Sequence, residues 1–137
     1  ALEEQAAALA ATRATDEQKT HLGHLVAAIS DLEMGPERAV ENDIAFHVAL
    51  AEASGNPLLL NMLLSVRQVL HGYIRAGYTR RGYSSQAEAD DVANMHVPIV
   101  DAIQAGNPTL AKQAMHAHFQ KTTGWQLAWG EDEIPED

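Results

Sequence analysis

Residues 41–57 read "ENDIAFHVALAEASGNP", an apolar helical run that ends in its own stop signal. Val40, Ile44, His47 and Ala51 are three and four residues apart, with Asp43 and Leu50 flanking them, so they share one side of a helix. Gly55 suits the left-handed turn after a helix, Asn56 caps the next one, and Pro57 supplies its first turn. No strand reading competes, because β-branched and aromatic residues nowhere alternate with polar ones over a useful length. The stretch also poses a chemical question, since a carboxylate and an imidazole stand on the face that should be buried.

The same punctuation recurs along the chain. A first helix opens it as "ALEEQAAALAA", and Thr15 with Gln18 forms a capping box for a second, expected to run to about Met34. Gly35 and Pro36 separate this from the third, which reaches about Ser54. A fourth is expected from Pro57 to about Ala76, and a fifth from about Gln86 to Ala105 behind a Ser85–Glu88 capping box. After "AGNP" (105–108), a sixth starts at Pro108 and fades near Ala128. "GYTRRGYSS" (77–85) reads as a long connection, and residues 129–137 as an acidic, frayed tail. The expected fold is therefore all-α, an antiparallel bundle of about six helices forming one domain over residues 1–128.

A chain of 137 residues buries roughly two-thirds of the surface it exposes when unfolded, enough for one core. Nine basic against nineteen acidic residues give a net charge of −10, the wrong sign for gripping a phosphate backbone. Without cysteine there is neither a disulfide framework nor a thiolate metal site. No signal peptide and no apolar run of about 18 residues is found, so no membrane partner is expected and the cytoplasm is the expected compartment. The chain begins in helical pattern without Met or an N-cap residue, which predicts that a segment precedes it.

Helical phase sorts the seven histidines. Asp43 and His47 point inward on the third helix. Val92, Met95, Ile99 and Ile103 bracket His96 on the fifth, placing it on the buried side. On the sixth, Ala111, Met115, Thr122 and Trp125 lie at helical spacing around His118, while His116 is rotated by about 200° and faces out. His21 and His24 belong to a polar, solvated or interfacial face. Three inward imidazoles and one carboxylate make a ligand set for a divalent transition metal, and a buried carboxylate needs pairing, protonation or a cation. A second reading stands beside it from phase alone, in which Asp43 and His47 simply hydrogen-bond within one turn. On the fourth helix, Leu60, Leu64, Arg67, His71 and Ile74 share a stripe, and Arg67 is either a snorkelling side chain or a guanidinium aimed inward at a carboxylate.

"DIAFH" followed by "ALAEASGNPLL", then the histidines of "NMHVPIVDAIQAGNPTLAKQAMHAHF", resembles the FCD effector domain, the C-terminal ligand-binding half of FadR-type GntR transcription regulators. "ALEEQAAALAATRATDEQ" is similar to the first helices of that domain, so the likeness spans about residues 1–123. The resemblance implies that Asp43, His47, His96 and His118 bind a divalent metal, as in the metal-binding branch of the family. Zinc is the first choice, with nickel, manganese, iron or cobalt also admitted. It implies a homodimeric parent protein that meets DNA through an N-terminal winged helix-turn-helix absent from this chain. The Arg expected just before "ALEE" is absent too, and the arginine-rich stretch of the fourth helix is reduced to Arg67 and Arg75.

The expected partner is a small organic acid that coordinates the metal through a carboxylate. Arg67, His71, Arg75 and Asn94 are the expected ligand-binding residues, with Arg80 as a further anion partner. Each imidazole needs an acceptor for its other N–H, and Asn94, Asn61, Gln113 and Thr122 are the candidates. Two rivals are a metalloenzyme acting on a small organic acid and a metal-stapled dimerisation bundle. No inward general base stands at helical spacing from the ligands, which speaks against the enzyme.

Overall fold

The computed structural model describes residues 2–31, 33, 35–65, 67–69, 71–72, 75–76 and 86–129, with side chains to Lys121 save those of Pro36 and Glu88. Seven helices are named among them. They are α1 (Leu2–Arg13), α2 (Asp16–Ile29), α3 (Gly35–Ala53), α4 (Pro57–Ser65), α5 (Gln86–Asn94), α6 (Val97–Gln104) and α7 (Pro108–Trp129). No strand occurs among the described residues, so the fold is all-α as expected. Residues 67–69, 71–72 and 75–76 are also helical. The expected connection 77–85 and most of the acidic tail lie outside the described residues, as do Ser85 and Arg80.

The caps behave as the chemistry requires. Thr15 Oγ1 accepts the Gln18 N–H at 3.1 Å and the Gln18 side chain accepts the Thr15 N–H at 2.9 Å, closing the box that starts α2. Asn56 Oδ1 accepts the Leu58 N–H and Asn107 Oδ1 the Leu110 N–H, each at 3.0 Å. Gly55 and Gly106 stand at φ 67° and 68°, in the left-handed region that favours glycine. A Cβ on Gly55 would meet Arg13 Cδ at 3.2 Å, where Arg13 reaches over to donate to the Ser54 carbonyl at 3.2 Å. Gly55→Ala is therefore expected to lower stability by about 1–2 kcal/mol in urea unfolding, and Gly106→Ala by less, its nearest neighbour being an oxygen at 3.7 Å.

Two helices depart from expectation. α2 stops at Ile29 rather than Met34, because Ser30 Oγ turns back to the Ala27 carbonyl and Asp31 Oδ1 takes the Glu33 N–H, a local turn that competes with the helix. The fifth expected helix is two, α5 and α6, broken at Met95–His96. Pro98 is the cause: its ring lacks an N–H and clashes with the carbonyl four residues back, that of Asn94.

The core joins α1, α2, α3, α5, α6 and α7, with Phe46, Leu22, Ile29, Leu50, Ile99, Ile103 and Met115 fully buried. Burying side chains of this kind stabilises by roughly 1.5–3 kcal/mol each. α1 is alanine-rich, and Ala6, Ala7, Ala10 and Ala11 let it approach α3, α6 and α7 closely. α4 packs on α3 through Leu63 and the partly buried Leu59 and Leu60, leaving Leu58, Met62 and Leu64 exposed. Of the expected stripe, Leu60 and His71 are half-buried and Leu64 and Arg67 exposed, while Ile74 lies outside the described residues.

Candidate metal centre

Asp43 and His47 lie one turn apart on α3, His96 in the break between α5 and α6, and His118 on α7. All four are buried, at 6%, 3%, 0% and 5% exposure. The bundle brings them together: ring nitrogens of His47, His96 and His118 lie within 4.8 Å of one another. Asp43 Oδ1 stands 3.0 Å from His96 Nε2 and 3.3 Å from His47 Nε2. Phe46 packs edge-on against both His47 and His96, and Phe119 closes the side near His118.

The Pro98 break has a direct chemical consequence. The His96 N–H donates to Ala93 O instead of continuing the helical ladder, so the Val92 carbonyl is left for the His96 ring, which approaches it through Nδ1 at 2.9 Å. Nδ1–H donation to that carbonyl leaves Nε2 as a bare lone pair turned toward Asp43. His47 repeats the pattern, with Nδ1 2.7 Å from Glu3 Oε1 on α1 and Nε2 turned to Asp43. This is a close ionic contact rather than a well-aligned hydrogen bond, since neither atom meets hydrogen-bond geometry. His118 Nδ1 is buried and has no hydrogen-bond partner among the described residues.

Lone pairs of two imidazoles facing one carboxylate repel unless a proton or a cation lies between them. In the metal-free protein the answer is a proton. Burial alone would lower the His47 pKa, but the charges and contacts of Glu3 and Asp43 outweigh it and push it up to about 10. Burial would raise Asp43, yet the His96 charge and the contacts with both imidazoles hold it well below the usual carboxylate range. His118 is pulled down to about 3, first by burial and then by the charges of His96 and His47, so it is neutral and ready to act as a ligand.

The residues fit a divalent ion. Tetrahedral ligands about 2.0–2.1 Å from zinc are about 3.3–3.4 Å from each other, and the Asp43–imidazole separations of 3.0 and 3.3 Å are of that size. His47 must lose its proton to serve, so metal uptake at pH 8 is expected to release at least one proton per ion. Calorimetric titration in buffers of different ionisation enthalpy reads this number, and a release of zero contradicts the assignment.

The other expected residues stand elsewhere. Arg67 is exposed, and Arg75 is exposed and paired with Glu37 Oε1 at 2.9 Å. His71 is half-buried, and Asn94 is exposed at the end of α5. Asn61 and Gln113 are exposed as well, and the Thr122 side chain lies outside the described residues. The Val92 carbonyl instead accepts from the His96 ring, and the Glu3 carboxylate lies against His47 Nδ1 as a close ionic contact. His116 faces out as expected, 59% exposed, and contacts Glu4 Oε1 at 2.8 Å; His21 and His24 are exposed. Sequence reasoning missed Glu3, whose pairing with His47 crosses from one helix to another.

A pocket of about 160 Å³ opens beside His47, lined by Leu2, Glu3, Ala6, Ala51, Leu59 and Leu63. Fold and site together define an all-helical domain in whose core three histidines and one aspartate lie close together. The FCD domain family matches residues 1–121, and the chain belongs to that family, the effector-binding domain of GntR-type transcriptional regulators. It is 31% identical over 118 residues to the HTH-type transcriptional regulator LutR of Bacillus subtilis, covering 86% of this chain and 54% of LutR. It is 33% identical over 121 residues to the putative L-lactate dehydrogenase operon regulatory protein of Escherichia coli, covering 87% and 45%. The chain spans about half the length of these curated relatives, and they are regulators rather than enzymes. Among solved structures, Streptococcus agalactiae GntR superposes with a TM-score of 0.68 at 30% identity, over 87% of this chain and 51% of that one. E. coli McbR/YncC, at 17% identity and a TM-score of 0.70 over 90% and 57%, shares the fold. No helix among the described residues is long and apolar enough to cross a membrane.

Proposed function

We propose that this domain is a metal-dependent sensor of a small organic acid, with Asp43, His47, His96 and His118 holding a divalent ion, zinc first among the candidates. The observation that carries the reading is the convergence of four buried donors, with Val92 O and Glu3 facing the outer nitrogens of His96 and His47. The ion supplies Lewis acidity and coordination positions open to a carboxylate. The chain's own groups do the rest. Asp43 offsets cationic charge in the core, Phe46 and Phe119 limit water, and the pocket beside His47 offers room for a short aliphatic body.

With Arg67 and Arg75 exposed, the ion takes over the anion-reading role expected of them. The name of the lactate-operon relative supports a small hydroxy acid as the class of effector. In a cytoplasmic, homodimeric parent protein, an acid that binds one packing of α3, α5, α6 and α7 better than another shifts their equilibrium by that difference in affinity. The shift would alter the spacing of the DNA-reading heads.

Thermal unfolding of the metal-loaded domain against a panel of organic acids tests the reading. At least one hydroxy or dicarboxylic acid is expected to raise Tm, and the effect should vanish after chelation. If chelation alone lowers Tm and no acid raises it, the ion is a staple and the sensor reading fails.

A further inference from the structure

His47 differs from His96 in how its outer nitrogen is held. The acceptor for His96 Nδ1 is a backbone carbonyl, Val92 O, four residues back on the same segment. The group facing His47 Nδ1 is a side chain from another helix, the Glu3 carboxylate of α1, in close ionic contact at 2.7 Å. Glu3 is only 13% exposed, so its charge acts on the imidazole through little solvent. A neutral imidazole carries one proton. On Nε2 that proton would point at Asp43, 3.3 Å away, and block coordination; on Nδ1 it leaves the Nε2 lone pair free.

We infer that Glu3 is a positioning residue for the metal centre, selecting the Nδ1–H tautomer of His47 and making metal affinity depend on the docking of α1. The inference rests on the metal reading given above and deepens it. α1 contributes no ligand, yet it packs on the helices that carry His47 and His118, and the His116–Glu4 contact of 2.8 Å fastens the same turn of α1 to α7. A displacement of α1 would release Glu3 and loosen one of the four donors.

The test compares wild type, Glu3→Gln and Glu3→Ala. Cobalt affinity is measured by competition with a chelating dye, and the His47 ring nitrogens are observed by ¹⁵N NMR of the zinc-loaded chain. Glu3→Ala is expected to bind cobalt about 10–100-fold more weakly, with Glu3→Gln between it and wild type because its amide keeps a polar oxygen of the same shape at that place without the charge. The His47 Nδ1–H signal should move in both variants while those of His96 and His118 stay. A merely structural ion pair would change the unfolding midpoint and leave that signal in place, which overturns the inference. Equal cobalt affinity in wild type and Glu3→Ala overturns it too. Should Glu3→Ala fail to fold, an unmoved His47 signal in Glu3→Gln decides against it. If wild type itself binds neither cobalt nor zinc, the metal reading falls and this inference with it; if wild type binds and the variants match it, only the inference falls.

Discussion

Asp43→Ala will abolish tight metal binding and destabilise the metal-free domain by about 3–5 kcal/mol, the range for breaking a buried charge pair from one side. Asp43 Oδ1 is within 3.3 Å of Nε2 of both His47 and His96, and its loss leaves neither Nε2 facing a carboxylate. The stabilisation has a sign that can be checked. His47 is raised to about 10, so its pairing with Glu3 and Asp43 is fully present below its ordinary pKa near 6.5 and fades as pH rises through about 10. The wild-type advantage over Asp43→Ala in urea unfolding should therefore shrink as pH rises from about 6.5 and level off above about 10. His24→Ala serves as the control, because His24 is exposed on α2 and its loss should change neither metal affinity nor, beyond a few tenths of a kcal/mol, stability. Equal cobalt absorption spectra for wild type and Asp43→Ala would remove the carboxylate from the ligand set.

Removing the metal will lower the melting temperature on the order of 10–15 °C. An ion present at about a thousand times its dissociation constant stabilises the native state by about 4 kcal/mol, and a domain of this size shifts a few degrees per kcal/mol. The effect is expected to be large because an ion at this place would link three stretches far apart in sequence, α3, the α5–α6 junction and α7, and would relieve the opposition of lone pairs around Asp43. Calorimetric scans before and after dialysis against chelator, then with zinc restored, measure it. Unchanged melting on chelation, with metal analysis confirming removal, would mean that the four donors hold nothing.

Much of this arrangement could be read from residue spacing. Asp43, His47, His96 and His118 lie inside the bundle as helical phase implies, and His116, two residues from His118, lies outside for the same reason. Gly-Asn-Pro signals placed the starts of α4 and α7 because each residue does one local job: positive φ, side-chain cap, first turn. Short-range rules reach that far. The break at His96 was also local, signalled by Pro98, but a strong apolar period through Val92, Ile99 and Ile103 conceals it, since α5 and α6 keep a shared inward face across the turn. Glu3 could not be found this way. Its pairing depends on how α1 crosses α3, which alanine packing sets and no spacing along the chain encodes. The exposure of Leu64 and Arg67 goes with α4 packing through Leu59, Leu60 and Leu63, a face that takes in only the first member of the expected stripe on a leucine-rich helix.

The most direct test is a crystal of the protein grown with one equivalent of zinc, with diffraction recorded on both sides of the zinc absorption edge. The anomalous difference map should show one strong peak per chain, enclosed by Nε2 of His47, Nε2 of His96, a ring nitrogen of His118 and Oδ1 of Asp43. A peak only on the surface, or none in a chain whose four side chains are well ordered, would contradict the assignment.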